Sequence, residues 1–189
     1  MKHQVRTALA FFLIAALIGW ALRSVQSGWL MLNFKYLLHT HSHVALIGWV
    51  YNGCFIILQR IIIADNARTS YYNRLFWITQ ITILGMLVSF PFQGYGAVSI
   101  TFSTLYIFAS YVLGWRAYID VGSQAKPVRT LVRAGVVFLF LSSIGPFALG
   151  YFMSQGLGDS IYYKLSIYWF LHFLYNGFFL MVMAAYAIK

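Results

Sequence analysis

Residues 37–58 read Leu37-Leu38-His39-Thr40-His41-Ser42-His43-Val44-Ala45-Leu46-Ile47-Gly48-Trp49-Val50-Tyr51-Asn52-Gly53-Cys54-Phe55-Ile56-Ile57-Leu58. Three histidines in five residues stand at the mouth of an apolar run. A helix needs about 20 apolar residues to cross a bilayer, and this run supplies them. It is too long for a transmembrane strand and lacks strict alternation, so it reads as a helix. Lipid offers no partner to a bare backbone amide, so the segments that accompany such a span must be helices or strands of a closed barrel.

Outward from this stretch, six apolar blocks emerge, at about 7–25, 38–59, 75–93, 96–118, 131–153 and 163–187. The expected fold is all-α: a polytopic membrane bundle of six transmembrane helices forming a single domain, 1–189. Composition agrees. The chain is 61% hydrophobic and 8% charged, whereas a soluble domain carries about 25% charged residues. The formal charge of +10 does not point to nucleic acid, because the basic residues are scattered between apolar blocks. The first block follows a charged start as a signal peptide does, but it is long and has no small-residue cleavage site, so it reads as an uncleaved span. The single cysteine, Cys54, excludes an intrachain disulfide.

Charge sets the expected orientation. With the N-terminus inside, Lys2, Arg6, Arg60, Arg68, Arg74, Arg116, Lys126, Arg129, Arg133 and Lys189 fall on the inner side, and Arg23, Lys35 and Lys164 on the outer. That bias predicts both termini in the cytoplasm. The expected location is a bacterial inner membrane, with the histidine site toward its outer side. Phe92-Gln93-Gly94-Tyr95-Gly96 reads as a tight turn between spans three and four. The stretches 64–73 and 120–129 read as polar loops, and 24–36 as an interfacial helix or lid before span two. Pro146 should kink span five, with Ser142 and Ser143 near the freed carbonyls. Tyr51-Asn52-Gly53 and Tyr175-Asn176-Gly177 form a weak echo, too short to establish a repeat.

The histidines carry the functional expectation, since an ionisable side chain inside a membrane span is a candidate site. His43 lies 17 residues before Arg60, and His172 lies 17 residues before Lys189. Each imidazole is therefore expected roughly 25 Å from the inner charged layer, at matching heights toward the outer face. His39 and His43, four residues apart, share one face. His41 points roughly the opposite way and leads on to Gly48 and Asn52. Asn176, four residues after His172, can orient its ring. Cofactor-binding candidates are His43, His172, His39, Gly48 and Asn176; metal-ligand candidates are His39, His41, His43 and His172. The competing reading for His39 and His41 is residence in the wet interface.

Other chemistries are poorly supplied. The only acids are Asp65, Asp120 and Asp159, all expected in loops, and there is no glutamate. Paired-carboxylate catalysis and di-iron carboxylate sites are disfavoured. No dinucleotide, Walker or nucleophile-elbow motif occurs.

The stretch HTHSHVALIGWVYNG, and more loosely LHFLYNGFF, resembles the haem-ligating helices of haem-copper oxidase and nitric oxide reductase catalytic subunits. The resemblance covers two helices. It implies a low-spin haem b held axially by His43 (or His39) and His172 toward the outer face. It does not extend to a full oxygen- or nitric-oxide-reducing centre. Those subunits have about twelve helices and further histidines, including an adjacent pair absent here. The leading expectation is a membrane b-type cytochrome for electron transfer or respiratory redox chemistry, with Gly48 making room for the macrocycle. Two alternatives stand beside it. One is a non-haem zinc, copper or iron site on His39, His43 and His172, serving an enzyme or a metal-handling protein. The other is a non-catalytic subunit or assembly factor of a respiratory complex. Expected partners are the lipid bilayer and either a second copy in a homodimer or respiratory-complex subunits.

Overall fold

The computed structural model describes residues 1–63 and 66–189, with the side chains of 66–68 excepted. Asp65, expected in a loop, and the side chain of Arg68, expected on the inner side, lie outside the described residues. Six long helices account for nearly all of the rest. They are α1 (Lys2–Gln26), α2 (Phe34–Ile62), α3 (Asn66–Gln93), α4 (Ala97–Asp120), α5 (Lys126–Ser154) and α6 (Ile161–Ala187). Each contains a window long and apolar enough to cross a membrane. The protein is an all-α bundle and an integral membrane protein with six candidate spans.

The helices run further into their polar flanks than the apolar blocks suggest. No separate lid precedes α2. Phe34, Lys35 and Tyr36 are already helical, and the side chain of Asn33 caps the helix by accepting from the Tyr36 amide at 3.1 Å. Asn66–Asn73, expected as loop, forms the first turns of α3. There Asn73 accepts from the Gln4 amide of α1 at 3.0 Å, so its polarity serves a neighbouring helix instead of a loop. Asp120, also expected in a loop, closes α4 and pairs with Arg116 one turn earlier at 3.1 Å. After a single 3₁₀ turn, Val121–Ser123, α5 begins at Lys126 with Pro127 in its first turn, where a missing N–H costs nothing.

Two expected punctuation marks hold. The α3–α4 link is a tight turn through Gly94, whose φ of +55° favours glycine. A Cβ there would also stand 2.6 Å from the Tyr36 ring. In α5 the helix breaks at Ser143, three residues before Pro146. The Ser143 hydroxyl is hydrogen-bonded with that of Tyr111, and the Trp169 indole donates to the Leu141 carbonyl at 2.8 Å.

The chain forms two compact units, 1–56 with 64–110, and 57–63 with 111–189. In the first, Tyr51, Phe55 and Phe76 are fully buried, with Tyr51 edge-on to Tyr106 at 5.0 Å and Phe55 edge-on to Phe76 at 5.4 Å. Gly85 lets α3 approach α4 so closely that a Cβ would lie 2.3 Å from the Phe102 ring. In the second, Gly145 sits 2.5 Å, measured from an ideal Cβ, from the Ser166 carbonyl, and Gly177 is closed over by Phe138. Small residues at contacts are how membrane helices bring their backbones together.

Candidate functional site

Neither span that bears a candidate ligand histidine is a plain α-helix. In α2, Phe34–His43 is α-helical, Val44–Tyr51 is a π-helix, and α-helix resumes at Asn52. In α6, Ile161–His172 is α-helical, Phe173–Phe179 is π, and α-helix resumes at Leu180. Both π segments begin immediately after a candidate histidine, His43 or His172. Wide i→i+5 turns are rare, and they occur frequently at functional sites.

The HTHSH string divides its histidines between two neighbours. His39 and His43 share a face, as their spacing requires. His43 lies over Phe90 at 4.4 Å, and His39 meets Tyr95 at 4.4 Å. Both rings thus stand in one aromatic setting made by the end of α3 and the turn after it. The Nδ1 of His43 is 2.8 Å from the His39 carbonyl. A carbonyl can only accept, so Nδ1 carries the proton and Nε2 of the neutral ring keeps its lone pair. His39 Nε2 is buried without a hydrogen-bond partner.

His41 turns the other way, as expected, and is absorbed by α1. Its Nδ1–H donates to the Ala15 carbonyl at 3.0 Å, and its ring fills the space beside Gly19, where a Cβ would lie 3.1 Å from Cε1. Gly48 faces α1 as well. The volume its missing side chain leaves is taken by Phe11, whose ring carbon would stand 2.9 Å from a Cβ there. The room expected for a macrocycle at Gly48 therefore holds a phenylalanine.

Asn52, expected on the same face as His41 and Gly48, has moved to another neighbour. Its amide donates to the Gly48 carbonyl at 2.8 Å and to Gln80 Oε1 on α3 at 2.9 Å. Gln80 Nε2 donates back to Asn52 Oδ1 at 3.1 Å and to the Phe76 carbonyl at 2.9 Å. Both amides are buried and all four of their N–H groups are used. The extra residue per turn of the π segment rotates Asn52 away from α1 and onto α3. An α-helical projection from His41 misses that rotation.

In the second unit, His172 and Asn176 are both exposed along α6. The Asn176 side-chain nitrogen is 3.3 Å from His172 Nδ1. A half-turn of that amide presents its oxygen instead, on which Nδ1–H would donate and Nε2 would keep the lone pair. Phe173 stacks on Phe138 of α5 at 5.9 Å. Among the described residues, no group of three or more His, Cys, Asp or Glu side chains is gathered to hold an ion.

Sequence reasoning did not anticipate Phe90, Tyr95, Gly19 or Gln80 as partners of this region. Gln80 carried a usable signal, being an amide in the middle of an apolar block. Phe90 and Tyr95 carried none, since aromatic residues are dispersed throughout the chain. These features describe a six-span all-α membrane protein in which two π-helical segments each follow a histidine. No protein-family model, curated protein or solved structure matches the chain.

Proposed function

We propose that this protein is a b-type cytochrome-like membrane protein, with His43 and His172 as imidazole ligands of haem and electron transfer as its work. The observation that supports the reading is the hydrogen bond from His43 Nδ1–H to the His39 carbonyl at 2.8 Å. Histidines that bind metal commonly donate the other ring nitrogen to a carbonyl or carboxylate. That bond fixes the tautomer and aims Nε2. In the other unit Asn176 could serve His172 in the same way only after a half-turn of its amide that turns the oxygen toward Nδ1–H, since its nitrogen now lies 3.3 Å from Nδ1. The donor set fits haem iron, whereas Gly48 has no part in the reading because Phe11 fills its space. Haem held by these two imidazoles would supply one-electron chemistry. The protein's own contribution at His43 is to hold the ring in the ligating tautomer and to set it against Phe90 and Tyr95. On the basic-inside orientation, with both termini in the cytoplasm, the site lies toward the outer face of a bacterial inner membrane.

A second reading draws on a separate observation. His39 Nε2 is buried and unpartnered beside a His43 ring in the ligating tautomer. Two imidazoles at i and i+4 form the start of a zinc, copper or iron site whose remaining positions go to water or substrate.

A reduced-minus-oxidised optical spectrum of the purified protein, taken together with metal analysis, tests both. Haem bands that disappear in His43→Ala and in His172→Ala support the cytochrome reading. Absence of haem bands, or bands indifferent to both substitutions, overturns it. Stoichiometric metal without porphyrin, lost in His39→Ala, supports the second.

A further inference from the structure

Three cations gather where α4 passes into α5, and none has a carboxylate partner among the described residues. Lys126, Arg129 and Arg133 follow one another at intervals of three and four on one face of α5. The acid nearest to them in sequence, Asp120, is buried and pairs with Arg116. Asp159 lies beyond the far end of α5. Such a face is unfavourable by itself. Like charges four residues apart repel, and cations in the first turns of a helix oppose its dipole. No acid stands in the first turn of α5 to relieve them.

The end of α4 holds both guanidinium groups. Arg133 Nε–H donates to the Tyr118 carbonyl at 3.3 Å, with its guanidinium carbon 4.7 Å over the Tyr118 ring. Arg129 Nη1–H donates to the Gly122 carbonyl at 3.1 Å. A guanidinium has five N–H donors, and these bonds use one on each. Both forks are therefore anchored while most of their donors stay free. The corner beneath them is rigid, since Gly114 of α4 lets Phe140 and Val136 of α5 approach closely. Its surroundings belong to a membrane boundary. Trp115 and Tyr118, exposed on the last turns of α4, are residue types that collect at headgroup level. Ile119 on α4 and Val137, one turn past Arg133 on the same face of α5, are apolar and exposed.

We propose that an anionic phospholipid binds at this corner, its phosphate on Arg129 and Arg133 and its acyl chains along Val137 and Ile119. The planar forks suit phosphate oxygens, which accept two parallel N–H bonds from one guanidinium. Charge selects the lipid. A zwitterionic headgroup brings its own cation to a face that already has three, whereas a net-negative one does not. The apolar flank favours a phosphate that carries acyl chains over a soluble one. Basic pockets between membrane helices are recurrent sites for acidic headgroups. The inference goes beyond the redox reading and shares no residue with it. It rests on one compact unit alone.

The test is native mass spectrometry of the full chain in detergent, titrated with phosphatidylglycerol or with phosphatidylcholine of the same acyl chains. The unmodified protein should bind the anionic lipid about ten-fold more tightly or better. Arg129→Gln with Arg133→Gln should weaken that binding by about thirty-fold, at roughly one five-fold step per arginine. Arg129→Gln alone leaves Arg133 on Tyr118 and should lose about five-fold, which keeps the test decisive should the double variant not fold. Lys2→Gln with Arg6→Gln removes the same charge from α1 and should change the affinity less than two-fold, or about the scatter of such a titration. Equal affinity for the two lipids in the unmodified protein overturns the proposal. So does an equal loss in the α1 control, or binding unchanged by Arg129→Gln. Glycerol 3-phosphate that binds as tightly as the lipid would make the corner a site for soluble anions and overturn the lipid assignment.

Discussion

The amide pair between α2 and α3 offers the sharpest quantitative check on how the histidine helix is held. Asn52→Leu removes two hydrogen bonds to Gln80 and one to the Gly48 carbonyl. It strands Gln80 Oε1 in a site only 3% exposed. Interhelical hydrogen bonds in membrane proteins average about 0.6 kcal/mol and reach about 1.7 kcal/mol. The reciprocal pair alone is therefore worth about 1–3 kcal/mol, and the stranded Gly48 carbonyl adds to the loss. Asn52→Leu and Gln80→Met should each destabilise by about 2–4 kcal/mol. The double variant should lose about 1–3 kcal/mol less than the sum of the two single losses, because removing both partners leaves fewer polar atoms stranded. The expected coupling energy is about 1–3 kcal/mol. Unfolding in mixed micelles, followed by circular dichroism for the four members of the cycle, measures it. Additivity to within about 0.3 kcal/mol would refute the reciprocal bonding and, with it, the rotation of Asn52 onto α3.

Three further outcomes follow from the same geometry. His41→Ala should lower stability by about 1–2 kcal/mol, through the lost bond to Ala15 and the void beside Gly19. Any haem spectrum should survive in that variant, and a spectrum abolished in still-folded protein would return His41 to the ligands. Gly145→Ala should destabilise by at least about 1–3 kcal/mol in a thermal melt, because the atom nearest the new methyl is the Ser166 carbonyl, which belongs to backbone and cannot swing aside. Lys189→Ala removes an ammonium that donates to the Arg60 and Ile61 carbonyls at 2.5 and 2.9 Å. The loss should be about 0.3–1 kcal/mol, and the gap to the unmodified protein should narrow as salt is raised.

Much of the architecture follows from one solvent constraint. Hydrocarbon leaves an open chain no backbone partner but itself, so each apolar block of sufficient length had to become a helix, and all six did. Glycine and proline chemistry marked the turn at Gly94 and the break before Pro146. Spacing alone placed His39 and His43 on one face, with His41 opposite. These are local properties, legible because the pattern and the structure share one period.

The neighbour each face meets was not legible. In water, a helix announces its buried side by the contrast between apolar and polar residues. In a membrane both surroundings are apolar and the contrast vanishes. The sequence around His41 and Gly48 therefore could not say that α1 fills both spaces, with Ala15, Gly19 and Phe11. Nor could it disclose that His172 and Asn176 are exposed along α6. Phase was the second casualty. A projection at 100° per residue carries Asn52 to the side of His41, but the π turns of Val44–Tyr51 take up an extra residue and deliver it to Gln80 instead. That insertion is decided by packing against α1 and by an amide partner 28 residues away, so only the tertiary structure could set it.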